Sequence, residues 1–250
     1  MIYLLDCDLN GADSVQRLID SGAVTHLQCG SFPEFEGHCL KLLETVSNED
    51  LVICDTLSKL ADTTRGDMKL GVDMRESLWE KRNVYFSDKN YLTVYEAAGQ
   101  EIMRRLRNLR SRGARIITTC HEDEQLDPTT MTKKRAPALN DALYKSLMGS
   151  SSDVFRLRIL TEEMVDKEGK IILPKYSRIL QLQPDDFTIT KFHVDPEVAV
   201  TIPQEMAAPT LPKLYKRLQK RPSWLVIYAP PGAGKTTLAC SEATLQKKAQ

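Results

Sequence analysis

The run WLVIYAPPGAGKTTL, residues 224–238, carries the residue types and spacing that most plainly imply chemistry. Residues 224–228 are all apolar or aromatic and read as a buried strand. A turn rich in proline and glycine follows, and Gly234-Lys235-Thr236 opens a helix. Glycines at this spacing let successive backbone N–H groups curl around an anionic phosphate, and a helix start adds partial positive charge. In such a loop Pro231, Gly232, Ala233, Gly234, Lys235, Thr236 and Thr237 cradle the phosphates. Lys235 reaches the β- and γ-phosphates, and the Thr236 hydroxyl ligates Mg²⁺. Ala229 stands where the pattern more often starts with glycine. ATP and Mg²⁺ are the expected ligands.

A phosphate loop that turns over nucleotide also needs a carboxylate for the metal and a base for the attacking water. These usually follow the loop on neighbouring strands, whereas here the loop lies close to the C-terminal end of the chain. The partners are therefore expected before it, or in a continuation. Residues 51–56, LVICDT, have the form of a buried strand tipped by an acid, a Walker B strand. Asp55 would complete the Mg²⁺ shell with Thr236. Residues 2–5 form a second buried run that ends in Asp6-Cys7-Asp8, carboxylates at the strand edge where parallel α/β sheets place their sites. A third strand, residues 115–120, ends at His121, placed either to sense a γ-phosphate or as an ordinary turn histidine. A fourth, 154–160, puts Arg156 and Arg158 on one face.

The elements that must position these groups are legible in part. Residues 24–29 suggest a strand; 14–19 and 35–46 suggest helices. Residues 94–112 form an amphipathic helix with Ile102, Leu106 and Leu109 on its apolar stripe, and Gly113 ends it. Residues 57–90 are mixed and polar without an assignable pattern, and 122–152 are polar with the basic run Lys133-Lys134-Arg135. Residues 171–173, 178–183 and 187–192 suggest an antiparallel meander. The proline-rich stretch 195–222 reads as a connecting segment around a short helix at 214–218.

Composition excludes several classes. Lys+Arg and Asp+Glu each number 34, so no global field recruits nucleic acid and any such surface must be local. Six cysteines without CxxC pairing behave as small buried hydrophobes in a reducing cytoplasm. His38-Cys39 near Cys29 lacks metal-site spacing. No signal peptide and no membrane-spanning apolar run are seen, so no membrane partner is expected.

Taken cyclically from residue 224 through 250 and on to Met1, the order becomes phosphate-loop strand and helix, strand to Asp6/Asp8, helix, Walker B strand, long helix, strand to His121, then 154–160. With the motifs APPGAGKTT, LLDCD, LVICDT, TTCHED and SRILQLQPDDF, this order resembles the RecA-like ATPase family, most closely the small RecA-core ATPases of bacteriophages. The resemblance implies an α/β fold with a mostly parallel central sheet, circularly permuted, and an antiparallel meander on its C-terminal side. It implies one domain over 1–250: core strands in 1–194, the connector 195–222, and the phosphate-loop strand and helix in 223–250. It further implies a cytoplasmic ATPase that assembles on DNA, single-stranded DNA being favoured, as a ring or filament with ATP at subunit interfaces. Recombination, annealing or replication is the expected setting, with a DNA-translocating motor or a nucleotide-gated assembly module as alternatives. Carried onto this chain, Lys235, Thr236 and Asp55 are the phosphate and metal residues and Asp8 stands where the family has its catalytic Glu, with Asp6 as fallback. His121 takes the polar sensor position. Lys133, Lys134 and Arg135 fall in the second DNA-binding loop, or in a solvated one. Arg156 and Arg158 match a basic pair that reaches a neighbour's γ-phosphate; alternatively they stand on an edge strand and face water or pair with acids such as Glu162.

Overall fold

Apolar residues fall on both faces of the core strands, so their sheet has to be covered twice. The computed structural model describes residues 1–74, 91–126, 132–165 and 171–243. In chain order these form β1 (Ile2–Asp6), α1 (Gln16–Asp20), β2 (Thr25–Gln28), α2 (Phe32–Thr45), β3 (Leu51–Asp55), α3 (Leu57–Met74), α4 (Tyr91–Ser111), β4 (Arg115–Leu126) and β5 (Lys133–Pro137). They continue with α5 (Asp141–Ser150), β6 (Asp153–Val165), β7 (Ile171–Gln181), α6 (Pro196–Ala199), β8 (Glu205–Ala207), α7 (Leu211–Leu218), β9 (Trp224–Ala229) and α8 (Lys235–Ala239).

Local chemistry sets the helix starts. Ser31 caps α2 by accepting from the Glu34 N–H, with Pro33 in the first turn. Asn140 caps α5 through the Leu143 N–H at 2.9 Å, and Thr210 caps α7 ahead of Pro212. Beyond α4 the chain turns through Gly113 at φ +105°, where a Cβ would press on Asn48 at 3.3 Å.

The strands form one mixed sheet in the order β2-β1-β3-β4-β9-β6-β7-β8. From β2 through β6 every neighbouring pair is parallel. β7 and β8 continue antiparallel, and β5 runs antiparallel to the outer part of β4. β9 lies between β4 and β6 and is buried along its whole length. Alternate residues feed two cores. Leu5, Val52, Cys54, Ile116, Val226 and Tyr228 pack under α2, α3, α4 and α5. Leu4, Leu51, Ile53, Ile117, Leu225 and Ile227 face α7 and α8. At roughly 25 cal/mol per Å² of apolar surface removed from water, these two layers are the main stabilising term.

The expected co-sheet placement of residues 2–5, 51–54 and 224–228 is observed. Several expectations need correction. Residues 57–74 form helix α3, and α5 lies within the stretch read only as polar. The meander is built from β6, β7 and β8: residues 171–181 are one strand, 187–192 form only isolated bridges, and the last strand comes from the presumed connector. β6 is an interior strand, because β7 covers its far side. Residues 75–90 and the expected nearness of Gln250 to Met1 lie outside the described residues.

Candidate functional site

Parallel pairing brings the strand tips together at one edge. Asp6 and Asp55 are register partners on β1 and β3, and His121 pairs with Ala229, the first residue of the phosphate loop. Asp55 is buried, as strand tips beside a covered sheet edge must be. Its carboxylate accepts from the hydroxyls of Thr119 on β4 and Thr236 at the start of α8. The Thr236 contact joins residues 181 positions apart. Burial pushes the Asp55 carboxyl above the usual carboxylate range; the two hydroxyls oppose this, the nearby Asp6 charge adds to it, and Lys235 opposes it.

The loop itself turns through Gly232 at φ +75° and Gly234 at φ +87°, conformations that favour glycine. Lys235 is 6% exposed. Its Nζ donates to the carbonyls of Ala229 at 3.3 Å and Pro230 at 3.2 Å, so the ammonium is folded inside the loop. Burial lowers its pKa, while Asp55, Cys120, Asp8 and Glu122 hold it up.

The two acids after β1 have different surroundings. Asp6 accepts from Leu9 N at 3.1 Å and Ala12 N at 3.2 Å, and lies 3.1 Å from His26 Nε2. It is a buried anchor of the turn. Asp8 is half-buried, and no hydrogen bond to its side chain is found among the described residues. Its charge supports the protonated forms of both Lys235 and His121. Gly11 closes over the acids: a Cβ there would stand 2.7 Å from Asp55 Oδ2 and 3.1 Å from Asp6 Oδ1. Sequence reading missed Gly11 and Thr119, because only the register of other strands gives them a role.

His121 is half-buried, and its backbone N–H donates to Ser58 Oγ at 3.0 Å. Its ring Nδ1 is buried and has no hydrogen-bond partner among the described residues. Burial, then the Lys235 charge, lower its pKa, so the ring is neutral at pH 7.

Arg156 grips Glu122 with two hydrogen bonds of 2.7 and 3.0 Å, and Arg158 pairs with Glu205. The pair therefore meets acids of its own chain; the Glu162 side chain lies outside the described residues. Lys133, Lys134 and Arg135 lie on β5 of a hairpin with β4 rather than in an open loop. Arg135 is 2.8 Å from Glu124, and Lys133 lies 3.7 Å from the same acid. Residues 127–131 lie outside the described residues.

These residues fit the expected ligands. Two glycine turns and a buried lysine suit phosphate, and the orphaned His121 Nδ1 is a polar group still to be satisfied. Among the described residues no cluster of three or more His, Cys, Asp or Glu could hold a metal alone. Thr236 with Asp55 instead suits Mg²⁺, which is commonly held by one or two protein groups plus substrate phosphates. No helix of the described residues is long and apolar enough to cross a membrane. In comparisons with known proteins, no family profile matches this chain and no curated protein matches it significantly.

Proposed function

We propose that the protein is a Mg²⁺-dependent ATPase of RecA-like, circularly permuted architecture, coupled to single-stranded DNA. The observation that carries this reading is the hydrogen bond from Thr236, in the phosphate loop, to Asp55, at the tip of a strand two places away in the sheet. A glycine loop alone is a local motif. A loop threonine pointed at a buried acid across the sheet supports a nucleotide–metal site. The strand order supports the architecture: counted cyclically from β9, the chain passes through β1, β2, β3 and β4 on one side and β6, β7 and β8 on the other, with β4 between the loop strand and Asp55's strand.

In this reading the loop amides and Lys235 bind and orient the phosphates, and Thr236 and Asp55 hold the metal. Mg²⁺ held there would neutralise the charge that develops in phosphoryl transfer. Asp8, whose side chain no described group engages, accepts the proton of the attacking water. Neutral His121 donates to the terminal phosphate region through the ring nitrogen left unpaired among the described residues. Asp6 only holds the turn that presents Asp8.

Coupling to DNA rests on the β4–β5 hairpin, whose basic residues are partly exposed. Their half-exposed partner Glu124 must be displaced by phosphates, and ion pairs this exposed are worth only about 0.2–1 kcal/mol. Phosphate release is to be measured with Mg²⁺ and with EDTA, each with and without single-stranded DNA. The reading expects metal-dependent turnover that DNA raises and that Asp55→Ala abolishes. Metal-independent turnover, or turnover surviving Asp55→Ala, would reject it; turnover indifferent to DNA would remove the coupling.

A further inference from the structure

We infer that Arg178 of β7 is a phosphate ligand in its own chain, approaching the loop from the side that Thr237 lines; the inference rests on the nucleotide reading above. The residue lies 56 positions from Gly234 in sequence, and only the sheet brings the two together. If Gly234 carried a Cβ, that atom would stand 2.6 Å from Arg178 Cζ, 2.7 Å from its Nε and 2.8 Å from its Nη2. The guanidinium is thus laid against the backbone of the phosphate loop.

Three arginines sit near one another on the β6–β7 ribbon, and they are not equivalent. Arg156 is paired with Glu122 and Arg158 with Glu205, although the Arg158 Nε has no hydrogen-bond partner among the described residues. Among the described residues no acid pairs with Arg178, and its cross-strand partner is Ile159. Its side chain is exposed, so no folding requirement holds it at the loop. A solvated arginine has no electrostatic reason to lie on a glycine loop that already encloses the Lys235 ammonium. An anion bound there supplies the reason: two cations then flank it, one inside the loop and one outside.

Arg178, Gly234 and Thr237 line the same cavity of about 830 Å³, which continues past Pro209, Thr210 and Lys213. Thr236 faces Asp55 instead, and consecutive helix residues point about 100° apart. Arg178 therefore attends the end of the phosphate chain away from the metal. The planar guanidinium binds phosphate oxygens through two parallel N–H groups, a geometry that lysine cannot copy. The contact should matter to a diphosphate as much as to a triphosphate.

The test is equilibrium binding, with no turnover required. A fluorescent ATP analogue is titrated into the intact chain and displaced with ATP, ADP or inorganic tripolyphosphate. Arg178→Ala should weaken ATP, ADP and tripolyphosphate alike by roughly ten- to a hundredfold, the size of a charge-assisted hydrogen bond. Arg178→Lys should recover only part of the loss, and melting temperatures of both variants should match the parent because the residue is exposed. Unchanged affinity in Arg178→Ala, alongside a loss in Lys235→Ala, overturns the inference while leaving the nucleotide reading intact. A loss confined to the nucleotides and absent for tripolyphosphate assigns Arg178 to the sugar or base and also overturns it. Tighter binding in Arg178→Ala would make the side chain a plug. No binding by the parent chain defeats the nucleotide reading and this inference together.

Discussion

Asp6 and Asp8 stand two residues apart, yet the fold treats them differently. Asp6 is spent on two backbone amides and His26; Asp8 is left half-buried beside Lys235 and His121. Asp8→Asn should therefore keep nucleotide affinity and melting temperature while slowing hydrolysis by several orders of magnitude, because positioning and electrostatics supply most of phosphoryl-transfer catalysis. Asp6→Asn should instead lower the melting temperature; slow hydrolysis with normal stability in Asp6→Asn would exchange the two roles. Asp55 gives a prediction with the opposite sign for stability. Burial raises its pKa in the fold, with the Asp6 charge adding to the rise. Its contribution to folding is fully present below the unfolded value of about 3.9 and is lost as pH rises through the raised folded value. Asp55→Asn should then melt higher than the parent at pH 7 while being inactive, and the advantage should vanish near pH 3.5. Thermal melts without nucleotide at the two pH values check this; a lower melting point for the variant at pH 7 would contradict it. Lys235, Thr236 and Asp55 were legible in the sequence because each sits in a short local pattern. Thr119, Gly11 and Arg178 were not, since their roles come from register with strands far away in the chain.

At the scale of elements, legibility followed burial. β1, β3 and β9 are nearly continuous apolar runs, as strands covered on both faces must be, and sequence placed them within a residue. α3 carries a polar, mixed pattern and β8 is three residues long, so neither has a period strong enough to read. The basic run 133–135 illustrates the limit: its charge was visible, but its pairing with Glu122 and Glu124 across a hairpin was not. The hairpin supplies an element-scale test. Neutralising Lys133, Lys134 and Arg135 together should weaken single-stranded DNA binding and reduce the log–log salt slope by about 2, at roughly 0.7 per phosphate contact. An unchanged slope would put the DNA surface elsewhere. Because these pairs are partly exposed, the triple variant should fold normally.

For the whole molecule, the nucleotide reading turns on residues gathered from both ends of the described chain: Asp6 and Asp8 near its start, Lys235 and Thr236 near its finish. One sheet makes this possible by seating β9 in its middle rather than at its rim. Arg156 is held by Glu122 inside the same chain, and it pairs in register with Tyr228 of β9. If Arg156 and Arg158 also serve a neighbour's site, they must leave these acids on assembly; turnover should then rise more than linearly with protein concentration, and a trans arginine should be worth roughly 10³–10⁵ in rate. Strictly linear turnover would restrict both arginines to their ion pairs with Glu122 and Glu205 within the chain. The most direct test of the central claim is steady-state ATP hydrolysis by Lys235→Ala, measured with Mg²⁺ beside the parent chain and with circular dichroism of both. The account predicts metal-dependent hydrolysis by the parent, none above background by the variant, and identical folds, because the loop's shape is set by its glycines and not by the lysine side chain. Turnover near the parent's in a correctly folded Lys235→Ala protein would contradict it.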